Sequence, residues 1–494
     1  MLMPNPDQAV LERRDSIVAA LKAIVPDGVI DDVTSMRGYE TDGLTIYRQL
    51  PLVVVLPRTT DQVARIMRFC RDESIKIVPR GAGTGLSGGA LPLADAITIG
   101  MGRFNKVLDI DYENRCAVVQ AGVTNLGISQ AVASAGFYYA PDPSSQIACT
   151  IGGNVAENSG GVHSLKYGLT TNNVLGVEFV SLDGDIIRIG GKHLDSEGYD
   201  LLGVIVGSEG LLGIVTEVTV RLLRKPTIAR ALLIGFPTVG EAATCVSAII
   251  SAGIIPGGLE MMDKPAIHAA EAFVQAGYPL DVEALLIVEL DGPPAEVDYL
   301  IERTNEIADG CGAVNCRIST SEAERLSFWA GRKSAFPAVG RIAADYICMD
   351  GTIPRRRLPE VLQRMSAMAT QYGLGLANVF HAGDGNLHPL ILFDASKPGD
   401  VEKAEQFGSD ILKLCVEVDG VLTGEHGVGI EKRDLMDRMF SPLDMDQQQR
   451  LKCAFDPGAL MNPGKVFPVL RRCAELGKLH VSGGALPFPD LPRF

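Results

Sequence analysis

Hydrophobic and polar positions follow two different patterns along the chain, one before residue 226 and another after it. Before it, short apolar runs typical of strands succeed one another, and turn signals such as Asp183-Gly184 separate several of them. Residues 60–73 interrupt these runs with apolar positions at helical spacing. After Lys225-Pro226, strand-like runs alternate with longer amphipathic helices, which predicts an α+β arrangement with helices on one face of a sheet.

The same patterns divide the chain into four segments. Residues 1–48 predict a helical arm, because apolar positions recur at helical spacing and Asp7 is in place to cap the first helix. Residues 49–226 predict a strand-rich domain, and residues 227–470 predict the domain that alternates strands with helices. Residues 471–494 are rich in glycine and proline, and we interpret them as a tail available for docking on a partner.

Composition limits the classes of function. A net charge of −15 argues against a nucleic-acid partner, since binding to phosphates requires a basic surface. The N-terminus has no signal-peptide pattern and no run reaches the roughly 18 apolar residues of a membrane span, so we expect a cytoplasmic protein. The ten cysteines include no C-x-x-C pair, which argues against an iron–sulfur cluster within this chain. If the protein carries out redox chemistry, its electrons must leave through another molecule.

The strand-rich domain contains three glycine-rich stretches, at residues 79–89, 141–161 and 207–213. In the first, Gly83, Gly85 and Gly88 match the spacing of a dinucleotide-binding loop. The match fails in context, because a proline and further apolar runs follow where a helix is required, which leaves a loop whose amides can bind an anion. Three such loops in one domain indicate a long cofactor lying along the backbone. The alternative is that the glycines serve turns and strand crossings.

Two short glycine-flanked motifs in the C-terminal half gather groups that bind metals. They are His381-Ala-Gly-Asp-Gly-Asn-Leu-His388 and Gly424-Glu-His-Gly427. Imidazole and carboxylate suit a catalytic divalent metal, and zinc is the metal we favour. Glu425 offers a ligand, His426 beside it is free to move protons, and Asp384 either orients a histidine or forms the turn. The alternative for both motifs is a pair of turns with surface histidines.

The glycine-rich stretches resemble the FAD-binding domain of the vanillyl-alcohol-oxidase or p-cresol-methylhydroxylase (PCMH) type. The resemblance implies that residues 49–226 form a PCMH-type domain in which the first loop holds the pyrophosphate and the second passes near the flavin ring. Where some members carry a histidine bonded covalently to the flavin, this chain has Thr84, so we expect non-covalent FAD. His163 is a further candidate to lie near the flavin. The cofactor-binding residues implied are Arg80, Gly81, Ala82, Gly83, Thr84, Gly85, Leu86, Pro141, Ser144, Gly152, Gly153, Asn154, Asn158, Ser159, Gly160, Gly161, Glu209, Gly210 and Ile214.

The C-terminal half resembles the cap domain of FAD-linked enzymes that oxidise D-2-hydroxy acids. The resemblance implies that residues 227–470 form an α+β substrate domain with an antiparallel sheet and a metal site. The run from Cys348 to Pro354 is most similar to the flavin subunit of bacterial glycolate oxidase. Many 2-hydroxyglutarate enzymes have a lysine near the position of Cys348, and its absence favours a short monocarboxylate as substrate. The roles implied are metal ligand for His381, His388 and Glu425, base for His426, and carboxylate ligand for Arg332.

Together these features predict FAD-dependent oxidation of a short 2-hydroxy acid, glycolate or D-lactate, to the 2-oxo acid, with the electrons passed to a partner or a quinone. We expect His426 to take the hydroxyl proton while the hydrogen on the α-carbon leaves as hydride to flavin N5, and Asn386 is a further candidate to bond the substrate. The resemblance also implies iron–sulfur and second flavin-domain subunits of a glycolate oxidase complex, with association at the inner face of the membrane through those partners. The alternatives are a D-2-hydroxyglutarate dehydrogenase, a redox-neutral synthase, or an accessory flavin subunit on the same fold.

Overall fold

The computed structural model describes residues 3–193 and 198–468, so the predicted tail at 471–494 lies outside the described residues. Among the described residues, no helix combines the length and the apolar character that a membrane span requires. Eight cysteines there are free thiols, and six of them are buried. These six therefore serve as small hydrophobic residues.

The N-terminal arm begins with two helices, and Asp7 caps the first by accepting a hydrogen bond from the amide of Ala9. The second helix buries Ile17 and Leu21 in the same core as the first sheet. That sheet has four strands in the order Val29–Ile30, Val53–Val55, Ala96–Gly100 and Lys76–Arg80. The helices of this region are Gln8–Glu12, Arg14–Ile24, Val33–Met36, the 3₁₀-helix Arg37–Tyr39, and Thr60–Asp72.

A second, antiparallel sheet completes the first half of the chain, and its core receives Ile151 and Val155 from the helix Ile151–Glu157. Its five strands are, in order, Val107–Asp111, Cys116–Gln120, Ile214–Arg221, Val174–Val180 and Ile186–Gly190, and a two-stranded sheet pairs Leu223–Arg224 with Phe137–Tyr138. The helices of this region are Asn125–Val132, the 3₁₀-helix Ala133–Ala135, Ile151–Glu157, Ser164–Tyr167, Thr170–Asn173 and Leu202–Ile205. The short apolar runs of this region form strands, as their pattern predicted.

The second half is built on a seven-stranded antiparallel sheet, which confirms the predicted α+β class. The strand order is Asn315–Ile318, Ile228–Phe236, Ala284–Gly292, Gly258–Asp263, Gly375–Phe380, Pro389–Phe393 and Asp345–Cys348. The helices are Val239–Ser251, Lys264–Val274, Pro294–Gly310, Glu322–Lys333, Ala335–Val339, Leu358–Tyr372, Asp400–Glu417, Met436–Met439 and Pro442–Phe455, with 3₁₀-helices at Arg355–Arg357 and Arg433–Leu435.

The expectation that helices cover one face of this sheet is wrong, because they cover both. Within one strand, Leu232 and Ile234 join one hydrophobic core, whereas Ala231 and Leu233 join another on the opposite face. Successive side chains of a strand point to opposite faces, so a continuous apolar run marks a strand that is buried on both sides. The face that carries Leu233 also carries the helix Glu322–Lys333 and, as shown next, the candidate site.

Candidate active site

The two histidines of the first motif lie between two neighbouring strands of the seven-stranded sheet. His381 follows the strand Gly375–Phe380 and His388 precedes the strand Pro389–Phe393, and the turn between them closes with a hydrogen bond from the His381 amide to the Asn386 carbonyl, 3.1 Å. Nε2 of His381 and Nε2 of His388 each lie 3.4 Å from Oε1 of Glu425. The structure therefore brings the three predicted metal ligands together, with their ligand atoms within 4.8 Å of one another.

The chemistry of this cluster fits a divalent metal ion. Nε2 of His388 is buried and has no hydrogen-bond partner among the described residues, so its lone pair is available. Burial opposes ionisation of Glu425, but the hydrogen bond from His381 and the charges of the neighbouring histidines hold the pKa of this carboxyl at about 2. Two imidazoles and an ionised carboxylate form the donor set of a catalytic zinc site.

Glu260 orients the first histidine from behind. Its Oε1 lies 2.7 Å from Nδ1 of His381, and its Oε2 accepts a hydrogen bond from Nε of Arg332, also at 2.7 Å. A carboxylate on Nδ1 fixes the ring so that Nε2 faces the ligand cluster. Arg332 is 1 % exposed and is absent from the cavity wall described below, so its predicted role as carboxylate ligand stays a prediction. Sequence reasoning missed Glu260, although a carboxylate between Leu259 and Met261 in an apolar strand is a usable signal.

Asp350 organises the second motif. It accepts hydrogen bonds from the side chains of Asn386, 2.8 Å, and Thr423, 2.6 Å, and from the backbone amide of His426, 2.9 Å. The buried ammonium group of Lys432 lies 3.5 Å away. Burial opposes ionisation, but the nearby His426 and Lys432 keep the pKa of Asp350 well below its usual value. The predicted residue Asn386 thus holds Asp350, and Asp350 holds the turn that carries Glu425 and His426.

His426 faces the same space as the ligand cluster. Its ring stacks on that of His388 with centroids 4.8 Å apart and an interplanar angle of 15°. Its Nε2 lies 3.9 Å from Oε1 of Glu425. Burial, the largest cause, lowers the pKa of His426 to about 4, so the ring is neutral and able to accept a proton. Asp384 takes the turn-forming role, because its Oδ1 accepts the amide of Asn386 at 3.1 Å.

A cavity of about 510 Å³ is lined by residues of the three glycine-rich loops and by His388, Glu425 and His426. Most of the predicted cofactor-binding residues line it: Arg80, Gly81, Ala82, Gly83, Thr84, Gly85, Leu86, Ser144, Gly152, Gly153, Asn154, Ser159, Glu209, Gly210 and Ile214. Four others lie outside the wall: Pro141, Asn158, Gly160 and Gly161. Gly160 instead contacts the metal cluster, since a Cβ there would lie 2.6 Å from Oε2 of Glu425.

Several further wall residues were not found from the sequence. They include Asp42, Cys149, Thr150, Glu157, Ser208, Lys333, Phe336, Pro337 and Asn462. Asp42 and Asn462 come from distant parts of the chain, whereas Thr150 and Ser208 lie within the glycine-rich stretches and share their signal.

Glu209 and His163 are among the residues of the first domain that contact the second domain. Glu209 has a left-handed backbone, φ +50°, and its carboxylate accepts hydrogen bonds from the amides of Val428 and Gly429, both at 2.7 Å. His163 lies outside the cavity wall, with Nδ1 2.9 Å from Asp142 and Nε2 3.2 Å from Glu289. The structure therefore gives His163 a position between the domains and no contact with the cavity.

Comparison with known proteins identifies the class that this fold and site define. The family described as "FAD linked oxidases, C-terminal domain" matches residues 225–466, and the family described as "FAD binding domain" matches residues 51–190. The chain belongs to the FAD-linked oxidases, as the resemblance predicted, and it binds FAD.

Individual relatives within this family are named as enzymes, or subunits of enzymes, that act on 2-hydroxy acids. The chain is 55% identical to the "Glycolate oxidase subunit GlcD" of Escherichia coli K12 over 97% of each chain. It is 34% identical to a D-lactate dehydrogenase of Archaeoglobus fulgidus, over 84% of this chain and 91% of the other. Among solved structures, p-cresol methylhydroxylase matches with a TM-score of 0.77 at 17% identity, over 94% of this chain and 98% of the other, which confirms the PCMH-type fold.

Proposed function

We propose that this protein oxidises a short 2-hydroxy acid, glycolate foremost and also D-lactate, to the 2-oxo acid, with FAD and a divalent metal ion, zinc by preference. One observation carries the proposal: residues of the glycine-rich loops line the same cavity as His388, Glu425 and His426. A cofactor in those loops and a substrate at that cluster would therefore share one space. The names of the relatives, a glycolate oxidase subunit and a D-lactate dehydrogenase, support the same substrate class.

The reaction removes one proton from the hydroxyl group and one hydrogen, with its electron pair, from the α-carbon. Bound FAD supplies the hydride acceptor, and a metal ion held by His381, His388 and Glu425 supplies Lewis acidity. His426 takes the hydroxyl proton, since its ring faces the cavity beside the ligand cluster. Glu260 keeps Nε2 of His381 directed at that cluster.

Two cations on the helix Glu322–Lys333 are available for the carboxylate of the substrate. Lys333 lines the cavity, whereas Arg332 is buried against Glu260 with its Nη2 also 2.7 Å from Oε2. We therefore assign Arg332 first to neutralising Glu260. To contact the substrate as predicted, the guanidinium of Arg332 must extend beyond Glu260. A planar two-point hydrogen-bonded contact with the substrate carboxylate would stabilise that position.

The experiment that tests the function is anaerobic reduction of the bound flavin. Purified protein with FAD and zinc is mixed in turn with glycolate, D-lactate, L-lactate and D-2-hydroxyglutarate, and the flavin absorbance is followed. We expect bleaching by glycolate and D-lactate. Bleaching by D-2-hydroxyglutarate alone would move the assignment to a 2-hydroxyglutarate dehydrogenase. A loaded protein that no hydroxy acid bleaches would favour the redox-neutral synthase or the accessory subunit.

For the electron acceptor, we propose iron–sulfur and second flavin-domain subunits in a glycolate oxidase complex, which is cytoplasmic and lies at the inner face of the membrane through those partners. The absence of a C-x-x-C pair among the ten cysteines supports an external acceptor, and the E. coli relative is named as a subunit. Affinity purification of the tagged protein from its own cells tests this, with iron content and membrane fraction as readouts.

A further inference from the structure

The second domain contributes few side chains to the cavity wall. Apart from the metal cluster and Asn462, they come from one short segment where the helix Glu322–Lys333 passes into the helix Ala335–Val339. This segment supplies Lys333, Phe336 and Pro337. It therefore forms the wall nearest to the place where a substrate bound at the cluster would put its side chain.

Phe336 is the large apolar group of this segment. Its ring lies 6.4 Å from that of His388, edge to face at 71°, and 6.4 Å from that of Tyr346 at 68°. Both distances and angles are typical of stabilising aromatic pairs. Phe336 also packs against the hydrophobic core that contains Leu390. The ring is therefore held from behind by the sheet, and its free surface faces the cavity beside a predicted metal ligand.

Cys348, which stands near the position where many 2-hydroxyglutarate enzymes have a lysine, does not itself reach the cavity. It is buried in the hydrophobic core against which Phe336 packs, and it does not line the cavity. Its thiol donates to the Met349 carbonyl at 3.4 Å. Of the residues that this segment does bring to the cavity, Lys333, Phe336 and Pro337, Phe336 has the largest apolar side chain and is therefore the best placed to select by size.

We propose that Phe336 limits the substituent on the α-carbon of the substrate to hydrogen or methyl. This inference rests on the proposed function and specifies its substrate class: two- and three-carbon 2-hydroxy acids. An ethyl or propyl group on a substrate bound at His388 would meet the fixed phenyl ring. One methylene in an apolar pocket changes kcat/KM by roughly 10- to 200-fold, so a single ring can set this limit.

The test compares Phe336→Ala and Phe336→Trp with the wild-type holoenzyme. Flavin reduction is measured anaerobically with glycolate, D-lactate, D-2-hydroxybutyrate and D-2-hydroxyvalerate, and FAD and zinc contents are determined for each variant. Phe336→Ala should lower the preference for glycolate over D-2-hydroxybutyrate by roughly tenfold or more. Phe336→Trp should raise the preference for glycolate over D-lactate. Binding of the matching 2-oxo acids, observed as a change in the flavin spectrum, gives a readout that needs no turnover.

Phe273→Ala is the matched control, because this phenylalanine is 40 % exposed and does not line the cavity. If Phe336→Ala does not fold, Phe336→Leu takes its place, with a smaller shift in the same direction. If variants with a smaller and with a larger side chain at Phe336 both bind FAD and zinc and keep the substrate preferences of the wild type, the inference is overturned. If the loaded wild-type protein oxidises none of these acids, the proposed function itself fails.

Discussion

The two walls of the cavity are built on different principles. The wall from the first domain consists mainly of backbone and small residues, and several positions have no room for a side chain: a Cβ at Gly81 would lie 2.6 Å from Oγ1 of Thr150. The wall from the second domain consists of a few individual side chains, among them His388, Glu425 and His426. Asp350 and Glu260 lie behind this group and hold it in place. We therefore expect the first wall to bind the cofactor through its amides, whereas the second depends on individual side chains. Substitutions should therefore separate cofactor binding from chemistry.

The largest effect is expected for Glu425→Ala. Losing one of three protein ligands removes most of the bound metal, and with it nearly all flavin reduction, while FAD stays bound because its loops are untouched. Metal analysis, flavin absorbance and anaerobic reduction by glycolate measure the three quantities. Full reduction by the metal-free variant would refute the metal assignment.

Gly81→Val is the matching change on the other wall. The added side chain must displace Thr150, and it projects where the cofactor loop is closest to the next helix, so we expect FAD to be lost while zinc binding persists. If both variants lose both ligands, the walls are not independent, and the contrast between them is wrong.

His426→Ala separates the proton acceptor from the metal ligands. It should keep FAD and zinc, yet slow the reduction of the flavin by roughly 10²- to 10⁴-fold at saturating substrate, which is the usual contribution of a positioned base. Stopped-flow absorbance gives this rate directly. A reduction rate equal to that of the wild type would remove His426 from the mechanism.

Glu260→Gln tests the carboxylate behind His381. The change weakens the hydrogen bond that orients the ring, so zinc affinity should fall by roughly 10- to 100-fold, measured by competition with a chelator. Glu283→Gln is a suitable control, because Glu283 pairs with Lys264 on the surface at 2.6 Å. Equal affinities for Glu260→Gln and the control would show that His381 is oriented by its turn alone.

Glu209→Gln distinguishes a contact with the cofactor from a contact between domains. The amide group leaves one of the two backbone donors, at Val428 and Gly429, without an acceptor. A buried unsatisfied group costs about 1–3 kcal/mol, so we expect flavin reduction to slow roughly tenfold while FAD affinity is unchanged. Glu217→Gln, in the exposed pair with Arg188, is the control. Weaker FAD binding at an unchanged rate of flavin reduction would instead show that Glu209 acts by binding the cofactor.

The sequence predicted those parts of the site that are local. His381, His388, Glu425 and His426 lie in two contiguous motifs, so their shared chemistry is visible in the chain itself. Their supports are not local: Glu260 is 121 residues from His381 and Asp350 is 76 from His426. Glu260 meets His381 because the strand Gly258–Asp263 is a neighbour of Gly375–Phe380, a sheet order that no local pattern encodes.

The cofactor loops show a related limit. The glycine-rich stretches indicate where the backbone approaches another group closely, but they do not indicate whether that group is a cofactor or another part of the protein. Gly160 was expected to contact the cofactor and instead makes room for Glu425, while Gly81 and Gly152 do line the cavity. The sequence analysis also missed that helices cover both faces of the seven-stranded sheet. Its strands are continuous apolar runs, which indicate burial on both faces rather than on one.

The smallest expected effect concerns His163, which lies outside the cavity wall and joins the two domains through Asp142 and Glu289. Burial opposes a charge on this ring, but the hydrogen-bonded carboxylates of Asp142 and Glu289 raise its pKa to about 10. The charged ring therefore stabilises the folded state fully below the unfolded pKa near 6.5, and this contribution is lost as the pH rises through about 10. The difference in Tm between wild type and His163→Gln, measured with saturating FAD, should be largest near pH 6 and shrink towards pH 10. For a chain of this length, each kcal/mol lost should shift Tm by less than the roughly 2–4 °C typical of 150–250 residues. His268→Gln, at an exposed histidine, gives the baseline. A difference in Tm that stays constant with pH would mean that the ring of His163 acts by packing alone, and that its contact with Glu289 between the domains carries no charge.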